Sequence, residues 1–134
     1  MTTRVFLVMS AVFLAILGVG ALFLPHEILA YLGAPQQGAL PVLVQILGAH
    51  YLAFALLNWM VKDSLFGGIY NRQAAMGNFA HFAIGTIVLI KGAVGGQTPG
   101  SIWIACGCYA LFAGWLGAII FFGSPVKASR APRE

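Results

Sequence analysis

Most of the polar side chains placed to do chemistry in this chain, Gln45, His50, Tyr51, Asn58, Asn78 and His81, fall between Gln45 and Gly85, inside two long apolar runs. A polar group in hydrocarbon is costly, so each must either satisfy another polar group or serve a ligand. Spacing decides which of them act together. In the first run Gly48, Tyr51, Ala55, Asn58 and Lys62 follow at intervals of 3, 4, 3 and 4, and in the second Ala74, Asn78, His81 and Gly85 follow at 4, 3 and 4. Each set is one stripe down a helix. If the helices pack antiparallel along these stripes, Asn58 and Asn78 lie together about one turn inside the membrane boundary, with Tyr51 and His81 together at a deeper level.

Two chemistries suit that arrangement. As interhelical ties, the pairs would each contribute about 0.6–2 kcal/mol in a bilayer. As a ligand-binding set, Tyr51, Asn58, Asn78 and His81 would hold the polar head of a lipophilic molecule, quinone-like or lipid, with Tyr51 and His81 donating and accepting and the two amides orienting the head. A b-type haem between His50 and His81 is a third use, since histidines on separate bundle helices are suitable axial ligands. Helical geometry counts against it: His50 points about 100° from the Tyr51 stripe and sits about 6 Å deeper than His81.

Other chemistry finds little support. His26 and Glu27 are adjacent but too few for a metal site and read as solvated surface. Cys106 and Cys108 point about 200° apart on a helix and cannot bridge each other. The apolar runs hold no Asp or Glu, so a carboxylate-coupled exporter lacks its proton carrier, and Glu27 and Asp63 fall at opposite membrane faces. There is no Cys-x-x-Cys, His-Glu-x-x-His or glycine-rich phosphate loop. Catalysis is therefore the weaker expectation, and neither a metal nor a definite cofactor is read from the residues.

The elements that carry these residues follow from composition. With 60% hydrophobic and only 7% charged residues, the chain is an integral membrane protein, because a soluble core of this size cannot hide so much apolar surface. Four spans are predicted, at about 5–24, 40–61, 74–90 and 102–122, in a single domain of all-α class, a transmembrane four-helix bundle with a basic tail over 123–134. A cleavable signal peptide is the rival reading of Arg4 before the first run, but that run is long for the purpose. Between the first two spans, Pro25, Glu27 and Gly33 mark the start, first turn and end of a short interfacial helix. The segment Lys62 to Gln73 is expected as a turn holding Asp63, Asn71 and Arg72, with Trp59, Phe66 and Tyr70 at headgroup level.

Small residues set the expected packing. Ala11, Ala15 and Gly18 share a face of the first span, and Cys106, Ala110, Gly114 and Ala118 recur every fourth residue on the last. Charge sets the orientation. Arg4, Lys62, Arg72, Lys127, Arg130 and Arg133 fall on one side of a four-span chain and only Lys91 on the other, which puts both termini in the cytoplasm. The net charge of +4 thus reads as membrane orientation and not as nucleic-acid binding.

The order of Leu22, Phe23, Leu24 and Pro25 closing the first span, then Gly33, then Gln45, Gly48, Ala49, Tyr51, Leu56, Asn58 and Trp59, resembles the small four-span bacterial DoxX-like families. The resemblance implies a multi-pass protein of the bacterial inner membrane and brings no catalytic residue with it. The functional expectation is an accessory or scaffolding protein that forms a homo-oligomer or joins a larger membrane complex through its small-residue faces. Binding of a lipophilic molecule in the polar cluster is the alternative, and a haem-binding or transport subunit the third.

Overall fold

The computed structural model describes residues 2–63, 69–96 and 98–122. These form five helices: α1 (Thr2–Phe23), α2 (Pro25–Tyr31), α3 (Leu40–Val61), α4 (Ile69–Val94) and α5 (Ile102–Phe122), with no strand among the described residues. Four of the five, all but α2, are long and apolar enough to cross a membrane. The faces they turn outward carry large apolar side chains, among them Ile16, Phe23, Met60, Ile104 and Leu111. Such a surface is incompatible with water and suited to lipid.

Local chemistry explains the helix ends. Pro25 opens α2, where its missing N–H removes no helical bond. Gly33 closes it at φ 68°, with the amides of Gly33 and Ala34 donating to the carbonyls of Ala30 and Leu29. That is the 5→2 and 6→1 pair of a left-handed helix stop, a backbone conformation that favours glycine. Gln45 of α3 donates to the carbonyl of Leu22 in the last turn of α1, one of the acceptors a helix cannot satisfy itself.

Two boundaries differ from those expected. Helix α4 begins at Ile69 and runs to Val94, beyond the expected 74–90, so Asn71, Arg72 and Gln73 belong to its first turns and not to a turn between helices. At its far end Lys91 lies in the last turn, where a cation opposes the negative pole of the helix, and the helix stops at Val94, just before Gly95 and Gly96. Phe66 and the basic tail residues Lys127, Arg130 and Arg133 lie outside the described residues.

The helices alternate in direction. Arg4 at the start of α1 pairs with Asp63 just after α3, which puts those ends together. At the other end the Tyr31 hydroxyl donates to Ser101 Oγ at 2.6 Å, bringing the close of α2 to the start of α5. Packing is tightest between α1 and α3 and between α4 and α5, while α3 and α4 touch more sparingly. The expected hairpin of α3 and α4 is therefore not the closest-packed unit.

Glycines explain the pairing. At Gly18 and Gly48 the backbones of α1 and α3 come so close that an added Cβ on either would stand 2.9 Å from the other's carbonyl oxygen. This fulfils the expected close approach on the Gly18 face of α1. Between α4 and α5, the Tyr109 ring occupies the space a side chain at Gly85 would need, and Phe79 does the same at Gly117. The expected ridge on α5 divides differently. Cys106 is buried, but Ala110, Gly114 and Ala118 are exposed, and a Cβ on Gly114 would meet nothing within 4 Å. Within the chain α5 thus packs through Cys106, Tyr109, Leu116 and Gly117, leaving the rest of that ridge on the outer surface.

The interior between the two pairs is aromatic. Phe6 of α1 meets Phe82 of α4 and Phe112 and Trp115 of α5 edge-on, and Phe82 stacks on Phe112 with centroids 4.9 Å apart. Each such contact adds about 0.5–1.5 kcal/mol beyond burial.

The glycine contacts give a direct test. Gly48→Ala is expected to destabilise the bundle by about 1–3 kcal/mol, because the clash is with backbone that cannot move aside. Gly77→Ala, at a helical site where nothing lies within 4 Å of the new methyl, is expected to be neutral or stabilising by up to about 1 kcal/mol. Reversible unfolding in mild detergent measures both.

Candidate functional site

Of the two stripes only the polar members meet across α3 and α4, in two layers of different character, while Gly48 packs on Gly18 of α1 and Gly85 on Tyr109 of α5. In the first, near the end of the bundle marked by Arg4 and Asp63, Asn58 Nδ2 donates to Asn78 Oδ1 at 2.8 Å and Asn78 Nδ2 donates to Asn58 Oδ1 at 2.7 Å. The remaining hydrogen of each amide is also used, that of Asn58 on Ser10 Oγ at 3.0 Å and that of Asn78 on the Ala74 carbonyl at 2.9 Å. Ser10 in turn donates to the Leu7 carbonyl of its own helix. All three side chains are buried to within 1% of their surface. This layer ties α1, α3 and α4 with every amide hydrogen used, and it leaves no donor for a ligand.

The second layer lies deeper. Tyr109 of α5 donates its hydroxyl to the Tyr51 hydroxyl at 3.0 Å, and the same oxygen stands 3.5 Å from His81 Nε2. The first contact is a hydrogen bond of ordinary length. The second lies at the limit of one and contributes little. His81 is held chiefly by rings: Phe54 stacks on it at 4.8 Å, and Tyr51, Phe82 and Tyr109 surround it. Tyr109 is almost wholly buried, whereas Tyr51 and His81 are half-buried.

The four residues expected to bind a ligand therefore separate. Asn58 and Asn78 satisfy each other and are sealed. Tyr51 and His81 come together with a third group, Tyr109, that sequence spacing did not single out. Tyr109 sits among apolar residues on α5, with no second polar residue at helical spacing to draw notice. Its signal is its register with Cys106, Leu116 and the aromatic Phe112, the positions that α5 turns inward. Ser10 was missed for a similar reason, as a small hydroxyl in a run whose polar character is slight.

His50 and His81 are not brought together. His50 stands exposed on the outer face of α3, opposite the Gly48 side, with Nδ1 bonded to the Ile46 carbonyl of its own helix at 2.8 Å. His81 faces the interior of the bundle. His26 and Glu27 are both exposed on α2. Among the described residues no three His, Cys, Asp or Glu side chains gather as a metal site, and Cys106 and Cys108 are free thiols.

The amide layer is expected to behave as a unit. Asn58→Leu alone strands Asn78 and should cost about 1–3 kcal/mol, whereas the double replacement Asn58→Leu with Asn78→Leu should cost less than the sum of the single ones. A double-mutant cycle read from unfolding in detergent gives the coupling, expected near 1 kcal/mol. No family model matches the chain, and no curated protein and no solved structure matches it either.

Proposed function

We propose that the protein is a non-enzymatic accessory or scaffolding component of a bacterial inner membrane, with both termini cytoplasmic, that assembles with a second copy of itself through α1 and α5. The observation that carries this reading is a groove of about 930 Å³ between those helices, walled by Val8, Val12, Ile16, Leu111 and Trp115, with Ala110 and Gly114 along it. Small residues let a neighbouring helix approach to backbone contact, the main source of association where the solvent is itself apolar. Lipid chains fill such a groove less completely than a helix does. The orientation rests on the sequence distribution of Lys and Arg over the predicted loops, with Arg4 and Lys62 placed at one end and Lys91 at the other, and the resemblance to DoxX-like families supports the bacterial setting.

Proximity in the membrane tests the assembly. In a background with Cys106 and Cys108 replaced by Ala, Leu111→Cys is expected to cross-link two chains through a short bifunctional thiol reagent, and Ile87→Cys on the exposed face of α4 is not. Gly114→Ile should reduce the Leu111→Cys product at least about tenfold while leaving the unfolding temperature of the single chain unchanged, since no described residue lies within 4 Å of a Cβ added there. Equal cross-linking from Leu111→Cys and Ile87→Cys would remove the reading.

A second reading rests on the deeper layer. The convergence of Tyr51, His81 and Tyr109, with His81 weakly bonded and only half-buried, supports binding of a lipophilic molecule with a polar head. His81→Leu should then cost under about 1 kcal/mol in stability, because the bond it removes is long, yet abolish retention of a co-purifying lipophile. Extraction of the purified protein followed by mass spectrometry distinguishes loss of the molecule from loss of the fold.

A further inference from the structure

A second groove, of about 300 Å³, lies between α1 and α3 and is lined by Ala11, Val12, Ala15, Leu52, Ala55, Leu56 and Trp59. It ends where the helices close on each other at Gly18 and Gly48. Its opposite end is charged. Arg4 stands seven residues before Ala11 on α1, and Lys62 stands seven after Ala55 on α3, so both cations rise from the helix faces that flank the groove. Lys62 Nζ sits 4.4 Å from the centroid of the Trp59 ring and donates to the Trp59 carbonyl, which holds the ammonium against a residue that lines the groove. Asp63 accepts from Arg4 Nε at 3.1 Å and from Lys62 at 3.4 Å, leaving a cluster of two cations and one anion with a net charge of +1.

We infer that this groove binds one phospholipid with an anionic headgroup, its phosphate against Arg4 and Lys62 and one acyl chain laid between Val12 and Leu56 over a floor of Ala11, Ala15 and Ala55. The dimensions agree. From Arg4 to Ala15 is eleven residues, or about 16 Å of helix, and a single leaflet of a bilayer core of about 30 Å is nearly the same depth. The alanines leave room for a methylene chain where larger residues would have brought the two helices' side chains into contact. Trp59 lies at the level where an indole ring meets headgroups. Arg4 engages Asp63 through Nε, and its side chain is 66% exposed, so the rest of the guanidinium fork is open to a phosphate. Asp63 opposes that phosphate by charge. The site therefore discriminates by charge at the mouth and by shape below it.

The experiment uses the full chain, freed of lipid in mild detergent and titrated separately with phosphatidylglycerol, phosphatidylcholine and inorganic phosphate. Native mass spectrometry counts retained lipid, and the unfolding temperature reports stabilisation. Phosphatidylglycerol is expected to be retained at one per chain and to raise the unfolding temperature, phosphatidylcholine to bind at least about tenfold more weakly, and inorganic phosphate to have no effect. Arg4→Gln with Lys62→Gln should abolish the preference for the anionic lipid. Leu56→Trp, which fills the groove from an exposed position without touching the cations and lies outside the groove between α1 and α5, should weaken retention about tenfold. Asp63→Asn should strengthen it several-fold, the opposite of what loss of a purely structural ion pair would produce. Equal retention of the two lipids, a shift reproduced by inorganic phosphate, or weaker retention in Asp63→Asn would each overturn the assignment. Should the double glutamine variant melt lower in detergent alone, the ratio of anionic to zwitterionic lipid on its folded fraction still decides.

Discussion

The reciprocal amide pair of Asn58 and Asn78 is the contact on which the rest of this bundle depends. Small residues bring α1 onto α3 and α4 onto α5, but those two pairs meet sparingly across α3 and α4. In hydrocarbon there is no hydrophobic force to drive them together. Two amides with all four hydrogens used, joined to Ser10 of α1, supply a directional tie in its place. Such a network also fixes register, since a slip of either helix by one residue would turn an amide by about 100° and leave it bare.

Away from that layer the character of the interior changes. Phe6, Phe82, Phe112 and Trp115 fill the space between the pairs with rings in edge-on and stacked contact, and the polar tips of Tyr51, Tyr109 and His81 sit at the border of this aromatic body. Burial of a tyrosine beside a partner hydroxyl is stable with no ligand. The difference between the layers is one of saturation: the amides are fully used, while His81 is held by packing and one contact at the limit of bonding distance. A site able to accept a further polar group is found where hydrogen-bonding capacity is left over, and that is the deeper layer and not the shallower one.

The outer surface shows a comparable division. Among the described residues most of it is large apolar side chains suited to disordered lipid, but grooves interrupt it, two of them beside α1. One is bordered by Ala110 and Gly114 and has no charge in its lining. The other runs up to Arg4, Lys62 and Trp59. Shape alone suits the first to a helix, and shape with charge suits the second to a lipid. Both arise because α1, the helix with the most completely buried inner face, is flanked by helices whose alanines and glycines leave shallow surfaces next to it.

Membrane class, four spans, the short helix opened by Pro25 and closed by Gly33, and the meeting of Asn58 with Asn78 were all legible in the chain itself. Apolar run length, proline and glycine at helix ends, and 3-4 spacing are local properties, and bilayer thickness converts them directly into architecture. The same locality explains the misjudged start of α4: Asn71, Arg72 and Gln73 are polar enough to suggest a turn, yet a helix projects beyond the hydrocarbon when its end is solvated. What only the tertiary structure decided is which helices pair most closely, that Tyr109 joins Tyr51 and His81, that His50 faces outward, and that most of the Cys106 to Ala118 ridge is not used within the chain. A stripe of small or polar residues states that a helix has a face without stating which neighbour meets it. In a bundle of four nearly equivalent apolar helices, that choice is made by the sum of all side-chain shapes around the axis, a property no single helix carries.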